Sequence, residues 1–391
     1  MNTIQQGIIT LLKCAVTGEQ GTLPPEFRLE EALPQIRRHH MATLAYEGAL
    51  HCGISPQHPV MQKLFQSYCK AYLVSEGQMK AFDRICAAFD ENGIDYMPLK
   101  GTLMKSRYPK PELRMMGDAD ILIRLDQYER IVPIMEGLGF ARGHESDHEL
   151  VWKSDQLYVE LHKRVIPSYN KDFHRYFGTD SGWQLAKVNE GTRYAMTAED
   201  ELIYLFTHFA KHYRDGGIGC RHVLDLWVFL RTFPEVNQAA VRAELETLRL
   251  LEFYENILRL LDVWFGRGEM DGKTEYMTEY VFASGSWGQM ESRILSQTVR
   301  NSKNSMLRFS GRLVYIWETL FPGVDVLKEK YTILQKAPWA LPLVWLVRPF
   351  YKVLFERKDL KRQERNLSAL DRDSVKQRQQ LLNYVGLDYH F

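Results

Sequence analysis

Leu99-Lys100-Gly101-Thr102, followed by Arg114 and then Gly117-Asp118-Ala119-Asp120-Ile121-Leu122-Ile123, is the stretch on which the fold turns. In the second run acids alternate with small or aliphatic residues, the period of a strand, so Asp118 and Asp120 project from one face. Two carboxylates so placed can hold a divalent cation between them. Upstream, Ile94 to Leu99 is a short apolar run and Thr102 to Arg107 has helical character, which predicts strand, helix, proline-bearing loop and strand. Gly101 stands where that helix begins, so backbone amides there can approach an anion with no side chain in the way. Thr102 adds a hydroxyl donor. Lys100 and Arg114 are the nearest cations, and the planar guanidinium of Arg114 suits a bidentate phosphate contact. Lys100 reads equally well as a solvated lysine at a strand end.

Beyond Ile123, Gln127 to Leu138 has the helical period and is closed by Gly139. Phe140 to Gly143, Glu149 to Lys153 and Gln156 to His162 then read as successive strands. Leu157, Val159 and Leu161 alternate with Tyr158, Glu160 and His162, which makes Glu160 the third carboxylate. A slip by one hairpin would put Asp147, Glu149 or Asp155 in its place. Three carboxylates on neighbouring strands can hold two hard cations, magnesium or manganese, about 3.5 to 4 Å apart. His162 shares the face of Glu160 and reads as its support or as filler at the strand edge.

On either side the pattern is helical. Thr3 to Phe89 repeats apolar residues every three or four positions, with a loop at Gly21 to Pro25, and Asn92-Gly93 suits a left-handed cap and turn. After Thr197 the helical period returns through Phe229, again from Val241 to Phe265, and from Arg293 to Phe321. His208 and His212 have the spacing of two ligands on one helical turn but lack the glutamate of a zinc protease motif, so a structural or supporting role is expected of them. Arg221, His222 and Asp225 share a helix, as a polar link between helices or a contact to ligand. The fold class is therefore α+β: a small mixed sheet domain at 86–166, an N-terminal helical region at 1–85, a helical domain at 167–360 and a terminal helix or tail at 361–391.

The chain has 391 residues, 45% hydrophobic and 25% charged, ordinary for a globular protein with more than one packed unit. A formal charge of +1 gives no global field for nucleic acid and argues against it as a partner. Five scattered cysteines without Cys-x-x-Cys spacing exclude a disulfide framework and a zinc ribbon, and fit a cytoplasmic location. Ala337 to Phe355 approaches a membrane span in length, but Arg348, Lys352 and three prolines interrupt it. Residues 337–362 mix aromatic with basic side chains, which permits peripheral contact with a membrane surface, while a helix packed on the body with a solvated basic end accounts for the same pattern.

Residues 94–140, with Leu-Lys-Gly-Thr, Leu-Arg-x-x-Gly-Asp-Ala-Asp-Ile-Leu-Ile and the following helix to Gly-Phe, resemble the uncharacterised nucleotidyltransferase family related to the polymerase-beta superfamily. In that superfamily a Gly-Ser pair precedes an acid-hydrophobic-acid strand, and a third acid lies on a later strand. Gly101, Asp118, Asp120 and Glu160 match, with Thr102 in place of serine. The resemblance extends to the histidine-bearing helical region, here His208-Phe209-Ala210-Lys211-His212 and Leu224-Asp225-Leu226-Trp227. It implies a magnesium- or manganese-dependent enzyme in which Asp118, Asp120 and Glu160 are the metal ligands and catalytic residues. Lys100, Gly101, Thr102 and Arg114 would hold the NTP donor, ATP included, and the acceptor would be a small molecule, a sugar or a protein. Two rivals are a metal-dependent nucleotide-sugar glycosyltransferase, whose Asp-x-Asp strand would release a nucleoside diphosphate, and a non-catalytic binding module of the same fold.

Overall fold

The acidic run forms β2 (Asp118–Ile123), the middle strand of a seven-stranded mixed sheet. Around it lie β1 (Tyr96–Pro98), β3 (Ala141–Glu145), β4 (Glu149–Lys153), β5 (Tyr158–His162), β6 (Lys187–Glu190) and β7 (Arg193–Ala195), in the spatial order β3-β4-β5-β2-β1-β7-β6. β2 runs antiparallel to β1 and parallel to β5. The computed structural model describes residues 1–146, 148–167, 171–178, 181–285, 321, 323–327, 333–355 and 372–387. They divide into one unit of residues 1–212 with 218–287 and a second of 213–217 with 288–391.

Alternation along β2 splits it into two faces. Ala119, Ile121 and Ile123 pack with Val159, Leu161, Leu150 and Trp152 of the neighbouring strands. Against that face lie Ala81, Phe82, Ile85 and Phe89 of the long helix α4 (Pro59–Glu91) and Ile131 and Met135 of α6 (Tyr128–Gly137), while α5 (Lys100–Ser106) follows β1. Burying that side against two helices fixes the register, and with it the direction of every even-numbered residue. Asp120 is then directly opposite Glu160, Asp118 opposite Tyr158 and Leu122 opposite His162.

Ahead of α4 come α1 (Thr3–Thr17), α2 (Leu29–Arg38) and α3 (Ala42–His51), as the apolar periodicity of that region requires. At the turn after α4 only Gly93 is left-handed, with φ of 61°, while Asn92 has φ of −97°. Strands β6 and β7 lie beyond residue 166, so the sheet extends past the stretch of sequence first assigned to it. Lys-Val-Asn-Glu and Arg-Tyr-Ala are too short and polar to carry a periodic signal, and they are recruited because β1 offers an open edge, where the Tyr96 N–H donates to the Thr192 carbonyl at 3.1 Å.

After α7 (Lys171–Phe177) and the last two strands, the chain is helical: α8 (Ala198–Asp215), α9 (Cys220–Thr232), α10 (Gln238–Thr247), α11 (Leu251–Phe265) and α12 (Gly272–Ser284). The break between α8 and α9 falls at Gly217, with φ of 93°, and that between α10 and α11 at Arg249, with φ of 55°. In the second unit, helices occupy Leu341–Phe355 and Arg372–Tyr384, and Leu327, Leu334, Ala340 and Val344 form a small apolar cluster. Arg378 donates to the carbonyls of Tyr213 and Arg214. Trp339, Leu343, Leu346 and Val347 are exposed, and among the described residues no helix is long and apolar enough to cross a membrane. The helix expected over residues 293–320 and the basic run Arg357 to Arg362 lie outside the described residues.

Candidate active site

Asp118 and Asp120 on β2 and Glu160 and His162 on β5 share the face of the sheet opposite the α4 and α6 core. Ligand atoms of Asp120, Glu160 and His162 all lie within 4.8 Å of one another. His162 Nε2 is 2.8 Å from Asp120 Oδ1 and 3.5 Å from Glu160 Oε2, while its Nδ1 is buried without a partner. Asp118 lies close enough to Glu160 for the charge of the glutamate to act on it. Glu149 instead accepts from its neighbour His148 at 2.8 Å, and Asp155 sits in an exposed turn, so Glu160 is the acid that faces the pair. Asp147 lies outside the described residues.

The two aspartates have opposite electrostatics. Burial, then the charges of Asp120 and Glu160, push the Asp118 carboxyl up to about 6. Burial acts on Asp120 too, but Lys100 and His162 outweigh it and hold that carboxyl well below the usual range. Lys100 Nζ lies 3.1 Å from Asp120 Oδ1, and both side chains are largely excluded from solvent, at 17% and 7% exposure. Burial is likewise overcome at His162, which Asp120 and Glu160 raise above the ordinary histidine range.

The turn from β1 into α5 delivers Lys100. Its backbone has φ of 26°, a strained value for a residue with a side chain, which is held because the flanking elements are fixed on both sides. The Leu99 N–H donates to the Asp120 carbonyl at 2.9 Å, continuing the β1–β2 ladder to the start of the helix. At Gly101 a Cβ would sit 3.3 Å from the Asp118 carbonyl oxygen, tighter than ordinary contact, so a side chain here would press on the strand by a few tenths of an ångström. Gln78 on α4 donates to the Met116 carbonyl at 3.0 Å and pins the loop entering β2.

Two residues expected to face phosphate are otherwise engaged. Thr102 is buried and its hydroxyl donates back to the Leu99 carbonyl at 3.4 Å, so it braces the turn. Arg114 makes a two-pronged ion pair with Asp225 of α9, at 3.3 Å from Nε and 3.1 Å from Nη2, and donates from Nη1 to the Gly101 carbonyl at 3.3 Å. The Tyr108 hydroxyl donates to the same Asp225 at 2.8 Å. A guanidinium so occupied fixes the glycine turn against the helical layer. Asp225 thus has a defined part, as the counter-ion that α9 supplies to the sheet.

Further side chains around the centre could not be assigned from sequence. Arg107 forks onto Glu201 of α8 at 2.7 and 2.6 Å and stacks over Phe229 and Phe233, tying α5 to α8 and α9. Tyr204 of α8 lies beside Lys100. His208 is half-buried, and desolvation followed by the charge of Lys100 holds it well below the ordinary range, hence neutral. Its Nε2 is 3.0 Å from Nε2 of His212, so one ring donates to the other. The i, i+4 spacing of Arg221 and Asp225 was visible, but which residue each would meet depends on a helix more than a hundred residues from β2.

A family model described as uncharacterised nucleotidyltransferase matches residues 25–266. The chain belongs to that family. The match spans the sheet together with α8 and α9, so the helices that contribute Glu201, His208 and Asp225 are part of the family unit. No curated protein matches the sequence. Among solved structures, the solution structure of the antibiotic-resistance factor ANT(2'')-Ia is similar at 16% identity, covering 44% of this chain and 96% of its own, with a TM-score of 0.31, a likeness too slight to carry an argument.

Proposed function

We propose that this family member is a divalent-metal-dependent nucleotidyltransferase that moves an NMP from an NTP to an acceptor hydroxyl and releases pyrophosphate. The observation that carries the reading is the pairing of Asp120 directly opposite Glu160 on parallel strands, with Asp118 on the same face. The acceptor oxygen forms a bond to the α-phosphorus as the bond from that phosphorus to the bridging oxygen breaks, and the electron pair leaves with pyrophosphate. Oxygen donors from Asp120 and Glu160, with Asp118 on the same face and the partnerless Nδ1 of His162 beside them, suit magnesium or manganese. Such an ion would polarise the phosphoryl oxygens and offset the charge of the leaving group.

The chain's own groups have separate parts. Lys100 and His162 keep Asp120 ionised and fixed in direction. Glu160, at 25% exposure against 7% for Asp120, is the more open carboxylate, so the proton of the acceptor hydroxyl passes to its carboxyl oxygen. Arg107 and Arg114, paired with acids of α8 and α9, hold the glycine turn rigidly enough for substrate positioning to contribute to rate.

Thermal unfolding of wild type and Asp118→Asn with each NTP, with and without magnesium or manganese, tests the reading. A ligand at about 100 times its dissociation constant stabilises by ~2.7 kcal/mol. A metal-dependent shift with an NTP that is lost in Asp118→Asn, together with pyrophosphate release, is the expected result. Absence of any shift, or release of a nucleoside diphosphate from a nucleotide sugar, would overturn it.

A further inference from the structure

Four cationic side chains surround the glycine turn, and they are not equivalent. Lys100 is paired with Asp120 and Arg114 with Asp225. Lys105 is almost wholly buried, donates to the Arg114 carbonyl at 3.0 Å and has Glu112 nearby. Arg221, the second residue of α9, has no such counter-ion. Its Nη1 donates to the Met115 carbonyl at 3.0 Å, its Nε is buried with no partner, and among the described residues no carboxylate lies within ion-pair distance of it.

This arrangement is costly as it stands. A guanidinium does not lose its proton in a protein, so burial cannot be relieved by neutralisation, and Arg114 beside it adds repulsion that the charges of Asp225 and Asp118 offset only in part. Asp225 already serves Arg114 and Tyr108. The missing element is an anion.

The position of Arg221 says which anion. Through Met115 it is tied to the loop that enters β2 three residues before Asp118, and the same loop passes the start of α5, where Gly101 packs against the Asp118 carbonyl. It therefore stands at the end of β2 where Asp118 lies, half-buried and close enough for the Asp118 charge to act on it. We propose that Arg221 anchors the β- and γ-phosphate groups of the nucleotide, and afterwards the pyrophosphate product. The assignment rests on the nucleotidyl-transfer reading above and moves to Arg221 the role that the sequence suggested for Arg114. Arg114, held by Asp225 and the Gly101 carbonyl, positions the turn instead.

The test uses inorganic pyrophosphate as the probe, titrated calorimetrically into the full chain without divalent metal. Wild type is expected to bind one equivalent, more weakly as salt rises, and Arg221→Gln to bind about tenfold more weakly or worse. Arg221→Lys keeps the charge but not the fork and should fall between them. Unchanged affinity in Arg221→Gln, or no binding by wild type, would overturn the proposal. Should Arg221→Gln fail to fold, arginine-selective labelling of wild type with phenylglyoxal decides: pyrophosphate should protect Arg221 in the peptide map, and equal labelling with and without it would refute the anchor. Metal-dependent NTP stabilisation is read separately, so its presence alongside a failed pyrophosphate result leaves the activity standing and removes only Arg221.

Discussion

Two groups of buried charges lie within one unit of this protein, and they are built on opposite plans. Around α5, α8 and α9 two arginines meet acids: Arg107 forks onto Glu201, and Arg114 onto Asp225, which also accepts from Tyr108. On the β2–β5 face, three carboxyls crowd together with one lysine and one histidine, and the charges of Asp120 and Glu160 bear on Asp118. Paired burial fixes elements in place, because removing either partner strands the other charge. Crowded like charges do the reverse: they oppose folding and are relieved by a cation. The difference separates the framework of the site from its working centre.

The largest effect expected of this contrast is in the framework. Asp225→Ala strands the buried Arg114 and leaves the Tyr108 hydroxyl without its acceptor, and chemical denaturation should find a loss of about 3–5 kcal/mol. A loss below about 1 kcal/mol would mean that the pair is solvated and the two groups are not distinct in kind.

At the working centre the sign reverses. The carboxyl of Asp118 sits at about 6 in the folded chain against an ordinary 3.8, so between these values the folded form holds a proton that the unfolded form has lost. Stability therefore falls as pH rises through that window, and the penalty is complete above it. Asp118→Asn removes the penalty, and the variant should be more stable than wild type near neutral pH by about 1–3 kcal/mol, with the difference closing near about pH 4. The same substitution should abolish metal-dependent NTP stabilisation. A variant destabilised at neutral pH would show that the Asp118 carboxylate is compensated in the absence of metal.

The smallest effect is the control. Lys80 and Glu76 pair across one turn of α4 at 75% and 48% exposure, and Glu76→Ala should change stability by no more than about 0.5 kcal/mol. A larger change would imply that exposed pairs here behave like buried ones and would blunt the comparison.

Much of the centre was legible because it is local. Alternation in Asp118–Ile123 and again in Tyr158–His162 fixes which residues share a face, whatever lies between them. The glycine step was read as an opening for an anion at the start of the helix, and the structure adds that Gly101 lies against the Asp118 carbonyl. Cation partners were not legible. Arg114 reads as a phosphate ligand until α9 brings Asp225 to it from 111 residues away, and Lys100 reads as a phosphate contact or a solvated lysine until the turn folds it onto Asp120. Strands β6 and β7 escaped notice because their pairing depends on the open edge of β1 more than on their own composition.

By itself, the sequence determined the secondary structure around the acids, their common face, the α+β class and the family resemblance, since periodicity and backbone preference act over a few residues. Only the tertiary structure decided which charges are neutralised and which are left exposed to a ligand. Coulomb interactions and desolvation depend on distances and burial between residues remote in the chain, and here they commit Arg114 to Asp225 and Lys100 to Asp120, and among the described residues leave Arg221 with no acid in ion-pair contact.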